Sequence, residues 1–446
     1  MRTVGMISLG CAKNRVDSEQ MLGLLRDAGY AFTDDPARAE ALIVNTCGFI
    51  RTAKEESIDA ILDMARYKRQ GVCRALVATG CLVQRYADEL REEMPEIDAF
   101  VGVTEYTRLP EIIRKLLDGD VREATAPIAV TPADARSAIF EGSRVLTTQR
   151  ATAYIRIADG CDNRCAYCAI PNIRGPFRSR SMSAVLDEAS SLCDGGVKEI
   201  VYIAQDTTRF GEDTEGRFLL PELLRKTASI PAVSWVRALY AYPSRVSDEL
   251  LDTLAHTPKV SPYLDVPLQH IDAGVLRRMG RWGDEEAIYA LLAKARRLGL
   301  TLRTTFLVGF PGESAEAFER LLDFTNTFQF DRMGAFAFSP EEDTPAFAMD
   351  GAPPDEIKQE RLDQLMRAQR RASLARNRLR VGETTAVLCE KVLDANNNIY
   401  EGRSIREVPE SDGIVRFRSR AAVSPGEFVQ VQVVRARAYD LEGESV

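Results

Sequence analysis

Six strand-and-helix units follow one another between residue 153 and about residue 338, and this succession constrains the fold more than any other feature of the chain. Each unit starts with a short apolar run and continues with a helix-like segment. The apolar runs occupy residues 154–157, 199–204, 235–239, 263–268, 302–308 and 332–338. Six repeats of this kind predict a partial (β/α)6 barrel with parallel strands, open on one side.

Residues 1–120, in front of the predicted barrel, alternate short apolar runs with amphipathic segments. The apolar runs lie at 4–9, 41–45, 75–78 and 99–102. Such alternation is typical of a parallel sheet covered by helices, so we predict an N-terminal α/β sheet domain. Residues 121–146 mix glycine, alanine, proline, threonine and charged residues without periodicity, which indicates a linker.

The barrel domain is predicted to cover residues 147–378. A long helix at 355–380 bridges it to the tail, and the second half of this helix carries six arginines and no acidic residue. Residues 379–446 then change to alternating strands with glycine-containing turns. The strands that we predict lie at 385–388, 414–417 and 428–434. This pattern favours a small antiparallel β-barrel as the C-terminal domain.

The composition argues against several classes of function. The 446 residues, 45% of them apolar, are too many for one ordinary core. The sequence shows no secretory signal and no run near the ~20 apolar residues of a membrane span, so we expect a cytoplasmic protein without membrane contact. Nine cysteines in a reducing compartment favour metal binding over disulfides. Two histidines argue against a histidine-rich metal site, and the net charge of −8 argues against a surface that coats nucleic acid.

Three cysteines on one short loop follow the first predicted barrel strand. They are Cys161, Cys165 and Cys168. This end of a parallel barrel is where such folds place their chemistry, and three thiolates can hold three irons of a cubane 4Fe-4S cluster while the fourth iron stays free. The alternatives are unreactive buried thiols or a zinc site, which normally has four ligands in paired spacing. The motif resembles that of the radical S-adenosylmethionine (SAM) superfamily, which implies that the cluster binds SAM and cleaves it with one electron.

The same resemblance implies residues that surround the adenine of SAM. Tyr167, just before the third cysteine, resembles the aromatic residue that contacts adenine in such loops. Gly309 and Gly312 lie after the fifth predicted strand, in a turn that resembles the one accommodating adenine. A Gly-x-x-Gly turn alone is weak evidence, and its place in the strand order strengthens it.

Further candidates for SAM contact lie at the ends and inner faces of the predicted strands. Gln205 and Asp206 end the second strand, where the superfamily has a glycine-rich contact to the methionine amino group, although the glycines are absent here. Arg237, Gln269 and Arg303, on the third to fifth strands, are candidates for the methionine carboxylate. For each of these side chains, a packing or ion-pair role is the alternative.

A second set of cysteines is distributed over the N-terminal domain. Cys11, Cys47 and Cys81 each follow a different predicted strand. The carboxyl ends of parallel strands meet at one edge of a sheet, so these thiolates are predicted to converge and to hold a second cluster. The glycines beside them are predicted to let the backbone approach that cluster closely: Gly10, Gly48 and Gly80. The alternative is that small thiols pack at strand ends, which we favour for the three other cysteines: Cys73, Cys193 and Cys389.

Four stretches carry a closer resemblance that extends over the whole chain. They read GCAKNRVDSE at 10–19, VNTCGFI at 44–50, TGCLVQRY at 79–86 and CDNRCAYCAIPNIRGPFRSR at 161–180. They are similar to the methylthiotransferases, radical SAM enzymes with a cluster domain in front and an OB-like TRAM domain behind. The residues 12–14 (Ala-Lys-Asn) and 267–270 (Pro-Leu-Gln-His), together with the tail at 402–413, resemble the RimO branch more than the tRNA-modifying MiaB branch.

The RimO resemblance implies an enzyme that adds a methylthio group to the β-carbon of an aspartate in the twelfth protein of the small ribosomal subunit. It also implies two 4Fe-4S clusters, with SAM as methyl donor and as radical source, and no side-chain acid or base. The implied partners are the ribosomal protein or the ribosome, a sulfide source and an electron donor. From Arg380 onward the chain has nine basic and eleven acidic residues. The tail therefore lacks the positive charge expected of an RNA-binding surface, and direct contact with RNA stays open.

Two other functions remain alternatives. A MiaB-like tRNA adenosine methylthiotransferase would use the same clusters on a different substrate. A non-catalytic iron-sulfur redox protein would hold the clusters without cleaving SAM.

Overall fold

The computed structural model describes residues 2–119, 126–135, 139, 141–148 and 151–446. The parts of the predicted linker at 121–125, 136–138 and 140 lie outside the described residues, as do residue 120 before it and residues 149 and 150 at the start of the predicted barrel domain.

The N-terminal domain contains one parallel sheet of six strands in the order β2-β1-β3-β4-β5-β6. The strands are β1 (Thr3–Ser8), β2 (Ala31–Phe32), β3 (Ala41–Thr46), β4 (Ala75–Gly80), β5 (Ala99–Val101) and β6 (Ile128–Ala129). The helices are α1 (Ala12–Asp27), α2 (Arg51–Ala65), α3 (Tyr67–Gln70), α4 (Cys81–Glu93) and α5 (Leu109–Asp118). Strands β3 and β4 are buried along their whole length, as expected for a parallel sheet covered on both faces.

This sheet confirms the predicted α/β domain and extends it. The four predicted strands correspond to β1, β3, β4 and β5, whereas β2 and β6 have only two residues each and give no periodic signal. Strand β6 lies inside the segment interpreted as a linker, where it pairs with β5. Part of that segment therefore belongs to the edge of the sheet.

The central domain is a parallel barrel that is open on one side, as predicted. Its strands are β7 (Thr152–Arg156), β8 (Ala158–Asp159), β9 (Arg178–Ser179), β10 (Glu199–Ile203), β11 (Trp235–Ala238), β12 (Tyr263–Asp265), β13 (Thr301–Val308) and β14 (Arg332–Ala337). The barrel strands form two parallel sheets, β11-β10-β7 and β12-β13-β14, which a parallel bridge between Val236 and Val260 joins. The opening lies between β7 and β14, while β8 and β9 form a short antiparallel pair beside the barrel.

The central domain also contains helices, most of which cover the outside of the barrel. They are α6 (Ile170–Arg174), α7 (Met182–Asp194), α8 (Glu212–Glu215), α9 (Leu220–Ala228), α10 (Asp248–His256), α11 (Ala273–Arg278), α12 (Glu285–Arg297), α13 (Ala315–Phe328) and α14 (Asp355–Arg378). The main core lies between these helices and the strands. In the described part of the chain, every helix is too short or too polar to cross a membrane.

The C-terminal domain is a closed barrel of five strands in the order β15-β16-β17-β19-β18. The strands are β15 (Thr384–Asp394), β16 (Ile399–Ser404), β17 (Val415–Arg418), β18 (Phe428–Ala436) and β19 (Leu441–Ser445). Three of them correspond to the predicted strands. The barrel is antiparallel except for the parallel pair β17 and β19.

A segment of the C-terminal domain, residues 405–412, enters the central barrel and is called the plug segment below. Val408 packs with Tyr154 and Tyr263 on the inner faces of the barrel strands, and Val16 of α1 joins the same cluster. The Tyr263 hydroxyl donates to the Asp412 carboxylate at 2.7 Å. The inside of the central barrel is therefore lined by all three domains.

Replacing Glu407 of the plug segment with glutamine is expected to reduce the acid sensitivity of the fold. Burial alone would raise the pKa of Glu407, but Arg380 and Arg332 lower it to about 2. A carboxylate with a lowered pKa stabilises the folded state above its unfolded pKa of 4.5, and this stability, on the order of 3 kcal/mol, is lost as the pH falls towards 2. Urea denaturation at pH 7 and pH 3.5 should show a smaller loss for Glu407→Gln than for wild type. The exposed Glu444→Gln should behave as wild type.

Candidate functional site

Three cysteines beyond the carboxyl end of β7, called the barrel cysteines below, lie on one pinned loop: Cys161, Cys165 and Cys168. The N–H of Cys161 donates to the carbonyl of Gly175 at 3.0 Å, and the N–H of Ala166 donates to the carbonyl of Met279 at 2.8 Å. A cavity of about 640 Å³ lies against the loop and is lined by all three cysteines. The loop thus presents three sulfur donors to one space.

The surroundings of the barrel cysteines suit the binding of iron by thiolates. Burial raises the pKa of Cys161 to about 11 and that of Cys168 to about 12, so both thiols keep their protons at neutral pH until a metal replaces them. Nη1 of Arg281 lies 3.6 Å from Sγ of Cys165, and its guanidinium lies 4.3 Å from the centre of the Tyr242 ring. Three sulfur donors beside a half-buried cation fit a 4Fe-4S cluster with one free iron.

The three residues predicted to surround adenine lie together on one side of this loop. The ring of Tyr167 packs edge-on against Phe310, with 6.3 Å between the ring centres. Gly309 and Gly312 adopt φ angles of 74° and 84°, which favour glycine. The Glu313 carboxylate closes the turn by accepting the N–H groups of Gly309 and Phe310. An aromatic ring therefore stands beside a tight backbone turn, an arrangement suited to a flat base.

Asp206, at the end of β10, contacts the cysteine loop directly. Its Oδ2 accepts hydrogen bonds from Nδ2 of Asn163 at 3.0 Å and from Nη1 of Arg245 at 2.9 Å. Because Asp206 is buried, these bonds fix the loop against the second barrel strand. Gln205 beside it is partly buried, and Gln269 has a φ of 73° where its backbone bridges to β13. Contact of these two glutamines with SAM stays a prediction.

Arg237 and Arg303 contact carboxylates of the protein itself. Arg237 is completely buried and donates to Oε1 of Glu199 at 2.6 Å and to the carbonyl of Ile405 in the plug segment at 3.2 Å. Arg303 lies 3.9 Å from Asp265 and 3.9 Å from a carboxylate of the plug segment. The structure therefore places Arg237 against the C-terminal domain and does not bring it to the barrel cysteines.

Three cysteines of the N-terminal domain, called the sheet cysteines below, follow the neighbouring strands β1, β3 and β4: Cys11, Cys47 and Cys81. Each has a glycine beside it: Gly10, Gly48 and Gly80. A Cβ added to Gly10 would lie 2.9 Å from Cβ of Cys47, and one added to Gly48 would lie 2.7 Å from the backbone of Leu82. The glycines thus let the three cysteine loops approach one another. The sequence-based prediction is only that the backbone at these glycines approaches a cluster.

Asn14 in the first turn of α1 ties these loops together. Its Nδ2 donates to the carbonyls of Leu9 at 3.1 Å and Thr46 at 2.8 Å. Its Oδ1 lies 3.5 Å from Sγ of Cys81. One buried amide therefore contacts the loops that carry all three sheet cysteines, which preorganises this edge of the sheet.

The sheet cysteines also fit a cluster better than a single metal ion. Burial raises the pKa of Cys47 to about 11, so this thiol also releases its proton only to a metal. Among the described residues, no three histidine, cysteine, aspartate or glutamate side chains surround one metal position. A cubane cluster does not require such a position, because each thiolate binds a different iron.

Arg174 at the end of α6 joins the two sets of cysteines. It is buried, and its guanidinium lies 3.6 Å from Sγ of Cys81, 2.7 Å from Asp17 and 3.5 Å from Asp159. Asp159 precedes Cys161 by two residues. A single side chain of the barrel domain therefore contacts a sheet cysteine and the start of the barrel-cysteine loop.

Three residues of this site are absent from the sequence-based predictions: Asn14, Arg174 and Arg281. A local signal existed for the first two, because each is a polar residue within six positions after a cysteine. Arg281 has no such signal, since it lies 116 residues from Cys165 in the chain. Only the folding of the barrel brings its guanidinium to the cysteine loop.

Replacing Gly10 with alanine is expected to remove iron from the N-terminal site. Gly10 has a φ of 85°, and its added Cβ would lie 3.1 Å from Sγ of Cys47. Gly29 is a matched control, because its φ is 86° and an added Cβ meets nothing within 4 Å. Both variants should lose about 1 kcal/mol from backbone strain, but Gly10→Ala alone should lose iron. Iron analysis and thermal unfolding check this result, and equal iron in both variants would contradict it.

Three known families match the chain in succession. The Uncharacterized protein family UPF0004 matches residues 3–102, the Radical SAM superfamily matches residues 155–325, and the TRAM domain matches residues 381–446. These ranges correspond to the N-terminal sheet, the central barrel and the C-terminal barrel.

Curated relatives are similar to the chain over its full length. The "Ribosomal protein uS12 methylthiotransferase RimO" of Desulforamulus reducens is 46% identical over 446 residues, which cover 100% of this chain and 99% of the relative. The protein of the same name from Heliobacterium modesticaldum is 46% identical over 447 residues, which cover 99% and 95%.

Solved structures support the fold at much lower identity. The radical S-adenosylmethionine methyltransferase TsrM from Kitasatospora setae, with cobalamin and a [4Fe-4S] cluster bound, superimposes with a TM-score of 0.57 at 17% identity. The match covers 77% of each chain. At this identity it shows a shared fold and nothing further.

Proposed function

The chain belongs to the RimO family of ribosomal protein uS12 methylthiotransferases, and from this premise we propose that the barrel cysteines and the sheet cysteines each hold one of its two 4Fe-4S clusters. The enzyme adds a methylthio group to the β-carbon of an aspartate in uS12, the twelfth protein of the small ribosomal subunit. In addition to the clusters, the enzyme uses SAM as a cofactor.

One observation carries the assignment of the ligands. Two sets of three thiols lie at the carboxyl ends of two parallel β structures, and Arg174 contacts both Cys81 and Asp159 between them. A reaction that needs a radical source and a sulfur source requires two such sites close together. When bound, SAM and the two clusters supply the hydrogen-abstracting radical and the methylthio sulfur.

The side chains around the clusters bind and orient rather than exchange protons. Arg281 holds positive charge against Cys165, Asp206 fixes the loop through Asn163, and Asn14 fixes the N-terminal loops. The turn with Gly309 and the ring of Tyr167 would accommodate the adenine of SAM. A sulfide source and an electron donor are further partners that this proposal requires.

The substrate can be tested by mass spectrometry of uS12 and tRNA from a strain that lacks the gene. We expect uS12 to lose the mass of one methylthio group and to regain it when the gene is restored. Unmodified tRNA together with normal uS12 would instead indicate a tRNA methylthiotransferase. The reconstituted protein should also form 5′-deoxyadenosine from SAM and dithionite, and its failure to do so with intact clusters would favour a redox carrier.

A further inference from the structure

Lys13 brings a positive charge to the space between the two sets of cysteines. It follows Cys11 by two residues in the first turn of α1, and only 8% of it is exposed. Its Nζ lies 3.5 Å from the centre of the Tyr240 ring. Tyr240 belongs to the loop after β11, at the carboxyl end of the central barrel. The ammonium group therefore connects the N-terminal sheet with the mouth of the barrel.

Tyr240 is held in an unusual conformation where it meets Lys13. Its φ is 64°, a region that side chains rarely adopt. The N–H of Tyr240 donates to Oδ2 of Asp265 at 2.9 Å, which stabilises this backbone. Strained residues of this kind persist where the surrounding structure fixes them, and they cluster at sites that bind ligands.

Lys13 has no carboxylate within ion-pair distance among the residues that the structure describes, although the Cys11 thiol, two residues before it, acts on it electrostatically. It forms a ring contact but no ion pair and no hydrogen bond with a carboxylate there. The carboxylates in its surroundings are engaged elsewhere, because Asp265 binds Tyr240 and Asp159 pairs with Arg174 at 3.5 Å. A largely buried ammonium group without a hydrogen-bonded anion is unfavourable, so its position points to an anion from a ligand.

We propose that Lys13 binds the side-chain carboxylate of the substrate aspartate, an inference that rests on the proposed function. The methylthio group is added at the β-carbon, and the carboxylate carbon is bonded directly to that carbon. A substrate whose β-carbon lies between the two clusters therefore presents its carboxylate to the groups that line this space. Lys13 supplies the complementary charge there, and its stacking on Tyr240 orients the donor.

Two other anions share this chemistry, namely the carboxylate of SAM and the N-terminal cluster itself. The barrel loop, where SAM would bind, already has Arg281 beside Cys165. The sheet cysteines already have Arg174 beside Cys81. Lys13 also lies near the Cys11 thiol, but its Nζ rests 3.5 Å from the centre of the Tyr240 ring, on the barrel side of this space, where the substrate carboxylate would lie.

The first arm of the test compares two peptides on the wild-type holoenzyme. One peptide carries the target aspartate of uS12 and its flanking residues, and the other has asparagine in its place. Fluorescence anisotropy in the presence of SAM should show binding of the aspartate peptide at least about tenfold tighter. Equal binding by an enzyme that still modifies the aspartate peptide would overturn this inference alone. Failure to bind either peptide, with no modification, would overturn the proposed function as well.

The second arm removes the charge. Lys13→Met should bind both peptides with the weak affinity that wild type has for the asparagine peptide, so that the tenfold ratio falls to about one. Lys13→Arg should keep part of the ratio, and Lys115→Met on the surface of α5 should keep all of it. Lys13→Met without ligand should unfold at a temperature at least as high as wild type, because a buried unpaired charge is removed. A retained ratio in Lys13→Met would overturn the proposal.

The third arm separates the three anions. Equilibrium dialysis of SAM and iron analysis should give wild-type values for Lys13→Met. A tenfold loss of SAM binding with an unchanged peptide ratio would assign the carboxylate to SAM and overturn the proposal. Loss of iron in Lys13→Met but not in Lys13→Arg would make the ammonium group a counter-charge of the cluster, which would also overturn it.

Discussion

Replacing the sheet cysteines Cys11, Cys47 and Cys81 with alanine is expected to halve the iron content and to abolish methylthio transfer, while SAM is still cleaved. Each set of three thiols would hold one cluster, so the removal of one set leaves the other cluster intact. The barrel cysteines lie on a separate loop that is pinned by Gly175 and Met279, neither of which is in the N-terminal sheet. Iron and sulfide analysis, together with chromatography of 5′-deoxyadenosine and of the modified peptide, measures all of these quantities.

Two matched triple variants make this result interpretable. Alanine at Cys161, Cys165 and Cys168 should also leave about half of the iron, but should abolish the formation of 5′-deoxyadenosine. The third variant has alanine at three buried cysteines outside both sites, namely Cys73, Cys193 and Cys389. This variant should retain the full iron content and both activities. If the variant without sheet cysteines kept all of its iron, the N-terminal set would not hold a cluster.

The fold was largely predictable because its signals are local. Apolar runs separated by amphipathic segments identify parallel strands, and parallel strands place their carboxyl ends at one edge. This rule alone predicts that Cys11, Cys47 and Cys81 lie near one another, although more than 30 residues separate each from the next. The two-residue strands β2 and β6 escaped prediction, because so short a segment has no period to detect.

The partners of individual side chains were less predictable, because they come from distant parts of the chain. The alternation within a strand indicates that Arg237 and Arg303 face the barrel interior, but it does not reveal that the plug segment enters that interior. Arg237 therefore contacts Ile405, 168 residues away, where the sequence suggests a ligand. The same limit applies to Lys13, since its contact with Tyr240 depends on how the N-terminal sheet docks on the barrel.

Replacing Arg174 with methionine is expected to destabilise the docking of the N-terminal sheet on the barrel by about 3 to 5 kcal/mol. The guanidinium is buried and pairs with Asp17 at 2.7 Å and with Asp159 at 3.5 Å. Without the Arg174 guanidinium, the negative charge of Asp159 loses this partner, and the negative charge of Asp17 is balanced only by Arg156 among the described residues. Thermal unfolding should show a clear decrease for Arg174→Met and none for Arg297→Met, an exposed arginine at the end of α12.

A double-mutant comparison separates this ion pair from simple packing. If Asp17 and Arg174 stabilise each other, Asp17→Asn combined with Arg174→Met should cost less than the sum of the two single changes, by about 1 to 3 kcal/mol. Strict additivity would contradict the pairing.

The same arginine should also influence the reduction potential of the cluster that we propose for the sheet cysteines, the N-terminal cluster, because its Nη2 lies 3.6 Å from Sγ of Cys81. Reduction adds negative charge to a cluster, and a nearby cation stabilises that charge. Arg174→Met is therefore expected to lower the potential of the N-terminal cluster and to leave that of the barrel cluster nearly unchanged. A redox titration followed by electron paramagnetic resonance distinguishes the two clusters. An equal shift in both would contradict a specific contact with Cys81, and a shift confined to the N-terminal cluster would make Arg174 the physical link between the barrel domain and the sheet cysteines.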